Sequence, residues 1–530
     1  MTRSVLILLS ITLLTACVGT MPAPDSDFQP SAFIPSTMLR TSPHPSLTPT
    51  PFQPILNLQS LTPLALFDAV QGEPDTSPSD TPAPLPPNTL TPSPLPLIFS
   101  SPAAKATPWV FALAAAFPTL TDDVSLADVQ AAWNGNGPTL LASQTTVETF
   151  TLLWGPPDNI RILSPEQLLG AAWDQRDAWA LLPFQEISPR WKVIAIEGQS
   201  PLHNDFDPAT YPLTALVTAP TPNYDPDKLT VVAMTGVTAL VRATAFGMEQ
   251  QGILYPGRDI GAWLREADIT HISNEVPFAR DCPYPNPVQQ GVVFCSDPRY
   301  LQLLEDVGTD VVELTGDHFH DWGAEAMLYS LDLYEEKGWP VYGGGATFDE
   351  GKQASLLEHN GNKIAFIGCN GKGGSFARAS ATTPGSVHCD FPWLENEIAR
   401  LTGEGYIVIA TFQHFEYYSY DIPDVTKADF RRLAEAGAVI ASGSQAHHPH
   451  GFEFVGDSLL HFGLGNLFFD QYGVSPGTEQ AFVDRHVFYD GQYIGTELLA
   501  MRFEDYARAR PMTDAERRDL LLSVFGASGW

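Results

Sequence analysis

The chain has 530 residues, with 61 Asp and Glu against 28 Lys and Arg, a formal net charge of −33. That balance excludes a general nucleic-acid binder, because neutralising phosphates takes a surplus of cations. A hydrophobic share of 44% excludes wholesale disorder, and at about 100–200 residues per domain the length suggests two or three domains. The chain has 47 prolines, densest in the first hundred residues, and charged residues make up only 17%, which fits an exported protein.

Arg3 precedes an apolar run, Val5 to Leu14, followed by Thr15, Ala16 and Cys17. A positive start, a short apolar stretch and small residues before a cleavage point make a signal peptide. The run is too short to span a bilayer. Leu14-Thr15-Ala16-Cys17 resembles a bacterial lipobox, which implies a signal peptide and lipidated cysteine over 1–17 and an extracytoplasmic protein held to the membrane by acyl chains on Cys17. A plain secretory signal with an incidental cysteine is the alternative. Residues 18–107 are rich in Pro, Ser and Thr and read as a disordered stalk, since such a composition cannot bury a core. Four cysteines remain, Cys282, Cys295, Cys369 and Cys389, an even set in an oxidising compartment. Proximity favours disulfides Cys282 to Cys295 and Cys369 to Cys389. A four-thiolate zinc site is the competing use, but neither pair has the short spacing zinc sites favour.

Residues 108–217 turn globular. Val110 to Phe117 is an apolar run, Ser125 with Asp128 caps a helix reaching Trp133, and Thr149 to Leu153 and Trp191 to Ile196 read as strands. The helix followed by Asn134-Gly135, and a late Tyr211-Pro212-Leu213-Thr214, loosely resemble one lobe of a periplasmic substrate-binding protein. A spacer without a ligand is an equal reading. A Pro-punctuated linker covers 218–228.

From 229 to 472 short apolar runs alternate with helical stretches, the pattern of an α/β domain. Strands are expected at Leu229 to Met234, Ile269 to Ser273, Asp310 to Leu314, Pro340 to Tyr342, Lys363 to Ile367, Tyr406 to Thr411, Ala438 to Ala441 and Ser458 to Phe462. Just after them come Asn274 and Glu275, Asp317 and His318, His414, His447, His448 and His450, and Asn466. Ligands bind at the carboxyl ends of strands in open α/β sheets, so these residues should meet on one rim. Imidazole with carboxylate suits Mn, Zn or Fe. Residues 473–530 read as a hairpin turning at Tyr489-Asp490-Gly491, then a helix opened by the capping box Thr513-Asp-Ala-Glu516.

Several ordered motifs make 229–472 resemble the CapA family of capsule-synthesis proteins, linked to poly-gamma-glutamate. They are Ser273-Asn274-Glu275-Val276-Pro277, Gly316-Asp317-His318-Phe319-His320-Asp321-Trp322-Gly323, Gly343-Gly344-Gly345, His414-Phe415-Glu416-Tyr417, His448-Pro449-His450 and Gly463-Leu464-Gly465-Asn466-Leu467-Phe468-Phe469-Asp470. The resemblance implies a metallophosphoesterase-like layered sandwich, two mixed sheets flanked by helices, and one or two divalent ions. It also implies Glu275, Asp317, His318, His414, His448 and His450 as metal ligands, His318 and His414 as catalytic groups, and Asn274 and Asn466 as supporting donors. A surface polymer or the capsule-synthesis machinery would be the partner, with a non-catalytic polymer-binding scaffold as the alternative. One departure bears on the ions: where the family has a first-strand Gly-Asp, this chain has Gly236-Val237, and valine offers no lone pair. His447 and His320 read as structural histidines, Asp321 as a helix cap and Glu416 as the partner of an arginine.

Overall fold

The computed structural model describes residues 106–530. The signal peptide, Cys17 and the Pro-rich segment up to residue 105 lie outside the described residues.

The N-terminal lobe is built on one long strand, Ala106–Ala116, whose buried alanines and large apolar residues let neighbours pack closely on both faces. It pairs antiparallel with Trp179–Pro183, Trp191–Ile196 and Thr214–Thr218 at the centre of a seven-stranded sheet. Three helices cover the sheet: Leu126–Trp133, Gln144–Trp154 and Pro165–Asp174. The first opens as expected, with Ser125 and Asp128 serving each other's backbone N–H. Thr149 to Leu153, read above as a strand, is helical. Ser143 caps that helix by accepting the Thr146 N–H, Val147 and Phe150 bury one face, and Leu152 and Leu153 face solvent. Helical spacing of the buried residues prevails over the β-branched local composition.

The second part is a layered sandwich of two mixed sheets flanked by helices, as expected. In the first sheet Val341–Tyr342, Val311–Glu313, Ile269–Asn274 and Leu229–Thr235 run parallel, and Gln480–Tyr489, Gln492–Glu504 and Arg508–Pro511 continue it antiparallel. In the second, Asn362–Asn370, Ile407–Gln413, Ile440–Ser442 and Ser458–His461 run parallel between antiparallel edges. Met234, Ile269, Val311, Phe366, Ile409 and Ile440 form the core between the sheets. Helix Gly323–Lys337 covers the outer face of the first sheet, and Phe391–Gly403 with Asp424–Ala436 cover that of the second. The hairpin turns at Asp490 and Gly491, both at positive φ, as a two-residue loop matching the strand twist requires. The closing helix Asp514–Ala527 carries the expected Thr513–Glu516 box and packs Leu520, Leu521, Val524 and Phe525 on the inter-sheet core.

Candidate functional site

Because the parallel strands of both sheets end on the same side, their terminal polar residues meet across the seam. Gln445, past Ile440–Ser442, donates to Ser273 Oγ at 2.7 Å, and Asn370 donates to the Thr315 carbonyl at 2.6 Å. Asn370 also donates to Gln413 Oε1 at 2.7 Å, and Gln413 donates to Asp317 Oδ1 at 2.9 Å, which orients that carboxylate. Both disulfides form as expected, Cys282 with Cys295 and Cys369 with Cys389, the second pinning the loop that follows Asn370.

On this rim Glu275, Asp317 and His318 place ligand-capable atoms all within 4.8 Å of one another. His318 Nδ1 lies 2.7 Å from Asp321 Oδ2, which leaves Nε2 as the free donor atom, the arrangement of carboxylate-supported metal histidines. Burial works against charge on His318, but the hydrogen bond to Asp321 and the Glu275 carboxylate outweigh it and raise its pKa to about 8. Glu275 is almost wholly buried, and its Oε1 has no hydrogen-bond donor. A buried carboxylate oxygen without a hydrogen bond is costly, and a metal ion in direct contact would answer it. Two carboxylates and an imidazole suit Mn, Zn or Fe, so the residues fit one divalent ion.

They do not fit a second. Val237 is fully buried against Ala239, Val241, Val276, Phe294 and Phe469 and offers nothing to a cation. Glu416 is held by Lys372, not by an arginine, and lies 3.4 Å from His447 Nε2. Lys372 Nζ also stands 3.3 Å from Asp317 Oδ2. His447 bridges the cluster: Nε2 is 3.6 Å from Glu275 Oε1, an ion-pair distance too long for a hydrogen bond, and Nδ1 is 2.8 Å from Asn466 Oδ1. Burial opposes charge on His447, but Glu275 and Glu416 overcome it and raise its pKa to about 10. Burial likewise opposes charge on Glu416 and Lys372, yet their mutual attraction, with His447 and Asp317, holds Glu416 well below its usual range and Lys372 above its own.

The other residues expected at the metal stand elsewhere. His414 pairs with Asp429 at 3.0 Å and shares a separate crevice with His450. His450 Nδ1 meets the Ser419 carbonyl at 2.8 Å, and burial pushes its pKa down to about 3. His448 turns back to its own chain at the Pro449 carbonyl and stacks on His450. The correction has a local cause. The β-bridge between Pro449 and Leu464 fixes the segment so that the ring of His447, not His448 or His450, faces the rim. Asn466 supports His447, and Asn274 braces the Val276 carbonyl and Tyr334, so both act on the frame around the cluster. Asp321, expected as a helix cap, holds His318 and accepts the Phe294 N–H. Sequence reasoning missed Lys372, whose one signal is a lysine between Gly371 and Gly373 directly after a strand.

Together the fold and the site define a class of protein: a layered α/β sandwich with a rim cluster able to hold a divalent cation. The family profile "Bacterial capsule synthesis protein PGA_cap" matches residues 231–471. Over this domain the chain resembles the CapA capsule-synthesis proteins. The chain is 22% identical over 315 residues to "Capsule biosynthesis protein CapA" of Bacillus anthracis, covering 58% of this chain and 75% of that one. It is 27% identical over 195 residues to "PGA biosynthesis protein CapA" of Bacillus subtilis (strain 168), covering 36% of this chain and 50% of that one. Among solved structures, a 5'-nucleotidase precursor from Thermus thermophilus aligns at 13% identity over 56% of this chain and 58% of that one, with a TM-score of 0.32. An ABC-type phosphate transport receptor from Vibrio cholerae aligns at 14% identity over 23% of this chain and 59% of that one, with a TM-score of 0.19.

Proposed function

We propose that this protein serves the synthesis or processing of an anionic surface polymer such as poly-gamma-glutamate, as a metal-dependent hydrolase or transferase anchored outside the cytoplasm through lipid on Cys17. The observation that carries the reading is the buried Glu275 carboxylate, one oxygen of which accepts no hydrogen bond, beside Asp317 and His318 in a capsule-synthesis domain. Glu275, Asp317 and His318 would hold the ion, which would supply an acidified water and polarise a substrate oxygen. Asp321 orients His318 through Nδ1, and Gln413 orients Asp317. Lys372 keeps positive charge beside the carboxylates, where it can bind the anionic groups of a polymer or of a leaving fragment, while the buried His447 balances Glu275 and Glu416 from behind.

A second reading, a polymer-binding scaffold without turnover, is favoured by Val237, which closes the position of a further ligand with apolar packing. Metal content by mass spectrometry, with chromatography of poly-gamma-glutamate after incubation with the chain, separates the two. One ion per chain, lost in Glu275→Gln together with polymer cleavage or transfer, supports the enzyme. An ion without any change in the polymer supports the scaffold. No ion in either protein removes the metal reading.

A further inference from the structure

Away from the rim, a cavity of about 400 Å³ opens between the N-terminal lobe, the hairpin Gln480–Tyr489 with Gln492–Glu504, and the closing helix. Its apolar walls include Phe117, Trp263, Leu499, Met512 and Leu521. The volume lies within the range of small-molecule sites, about 300–1,000 Å³. Arg485 also lines it. This residue sits opposite Glu497 in the hairpin and shares a strand face with Val487, which packs against the lobe.

Arg485 is only 6% exposed, and its Nε has no hydrogen-bond partner. Its nearest charge is Glu497, 3.9 Å away, and Glu497 is engaged at 2.8 Å by His203. A guanidinium has five donors, and burying one without answering them is costly. Lys192 and Arg517 add two more part-buried cations, sharing the Asp122 carboxylate at 2.6 and 2.7 Å. The remaining lining acids, Asp122, Asp123 and Glu266, are exposed at the mouth, where water screens them. The three cations therefore lie deeper than these acids, and Glu497 is the one part-buried carboxylate of the lining.

We infer that this cavity is a binding site for a small organic monoanion, with a carboxylate head on Arg485 and an apolar body against Trp263, Leu499 and Leu521. A guanidinium fork matches a carboxylate in two parallel hydrogen bonds. Glu497 beside it and the acids at the mouth disfavour a dianion. None of the residues of the Glu275 cluster lines the cavity, so this site stands whether or not the rim is catalytic.

Isothermal titration of the full chain in chelator, with decanoate as probe, tests it. Chelator removes any carboxylate binding to a metal. Decanoate should bind once per chain, and 1-decanol, which lacks the charge, at least tenfold more weakly. Arg485→Met should weaken decanoate at least tenfold without lowering the melting temperature, because it removes a buried charge that makes no hydrogen bond. Met512→Trp, which narrows the cavity and leaves its charges in place, should weaken binding likewise, and it decides the matter if Arg485→Met fails to fold. No saturable decanoate binding, equal binding by decanol, or unchanged affinity in the variant that folds would overturn the inference. Tighter binding of decyl phosphate than of decanoate would overturn the monoanion assignment.

Discussion

His447 joins the two halves of the rim, and His447→Gln tests whether it does so as a cation. The ring is nearly inaccessible and faces Glu275 at 3.6 Å and Glu416 at 3.4 Å. Its folded pKa is raised to about 10. Against an unfolded value of about 6.5, the favourable protonation amounts to about 4 kcal/mol at pH 7. The sign follows from the direction of the shift: the stabilisation is complete below about pH 6.5 and is lost as pH rises through about 10. Glutamine keeps a donor for Asn466 but carries no charge. Urea unfolding in chelator, followed by tryptophan fluorescence, should therefore show the variant less stable by about 4 kcal/mol at pH 7 and nearly equal to the parent at about pH 10.5. Mn²⁺ should recover stability in the variant more than in the parent, since an ion at Glu275 replaces the missing positive charge. A difference under about 1 kcal/mol at pH 7, or one that does not change with pH, would refute the account of His447 as a buried cation.

Val237→Asp places a carboxylate among Ala239, Val241, Val276, Phe294 and Phe469, at a cost of about 2–7 kcal/mol. Thermal melting should show the loss without metal and a partial return with Mn²⁺. Replacing Cys369 and Cys389 by alanine frees a loop of sequence separation 20, worth about 3 kcal/mol, read as a lower melting temperature that reductant no longer changes. His486 is buried and its pKa is lowered to about 4, so it is neutral in the fold and charged in the unfolded chain below about pH 6.5. Its contribution is present above about pH 6.5 and lost as pH falls toward about 4, at about 1.4 kcal/mol per pH unit. His486→Gln should show a shallower acid decline in urea titrations between those limits.

The strands of the sandwich were legible because each is a short apolar run ending in polar residues, and the site lies where those runs end. Glu275, Asp317 and His318 could be read in this way because Glu275 follows its strand directly and the other two lie in the short loop after Val311–Glu313. The choice among His447, His448 and His450 could not. Three histidines within four positions carry the same local signal, and a bridge to Leu464, distant in sequence order from the strand end, decides which ring turns inward. Lys372 escaped for a chemical reason: a search for lone-pair donors passes over an ammonium, although an ammonium competes for the same carboxylates. The helix Gln144–Trp154 escaped because its threonines and a valine favour strand locally, while the cap at Ser143 and the burial of Val147 and Phe150 favour helix.

The cations of the rim bear on how an acidic protein could handle an acidic polymer. Glu275, Asp317 and Glu416 face Lys372 and His447, which leaves one negative charge, while His318 and Asp321 offset each other. A bound divalent ion, with His318 giving up its proton to act as a ligand, removes that negative balance. The chain as a whole, at −33, repels a polyanion over distances set by salt. The screening length falls from about 30 Å at 0.01 M to about 8 Å at 0.15 M, shorter than the span of the protein but longer than the contacts within the site. Raising monovalent salt across this range should therefore weaken the general repulsion more than the local attraction. Binding of poly-gamma-glutamate, measured by fluorescence anisotropy with Mn²⁺ present, should tighten as salt rises. A basic-patch binder would do the opposite, so affinity that falls with salt would show that the polymer is held at a positive surface other than this rim.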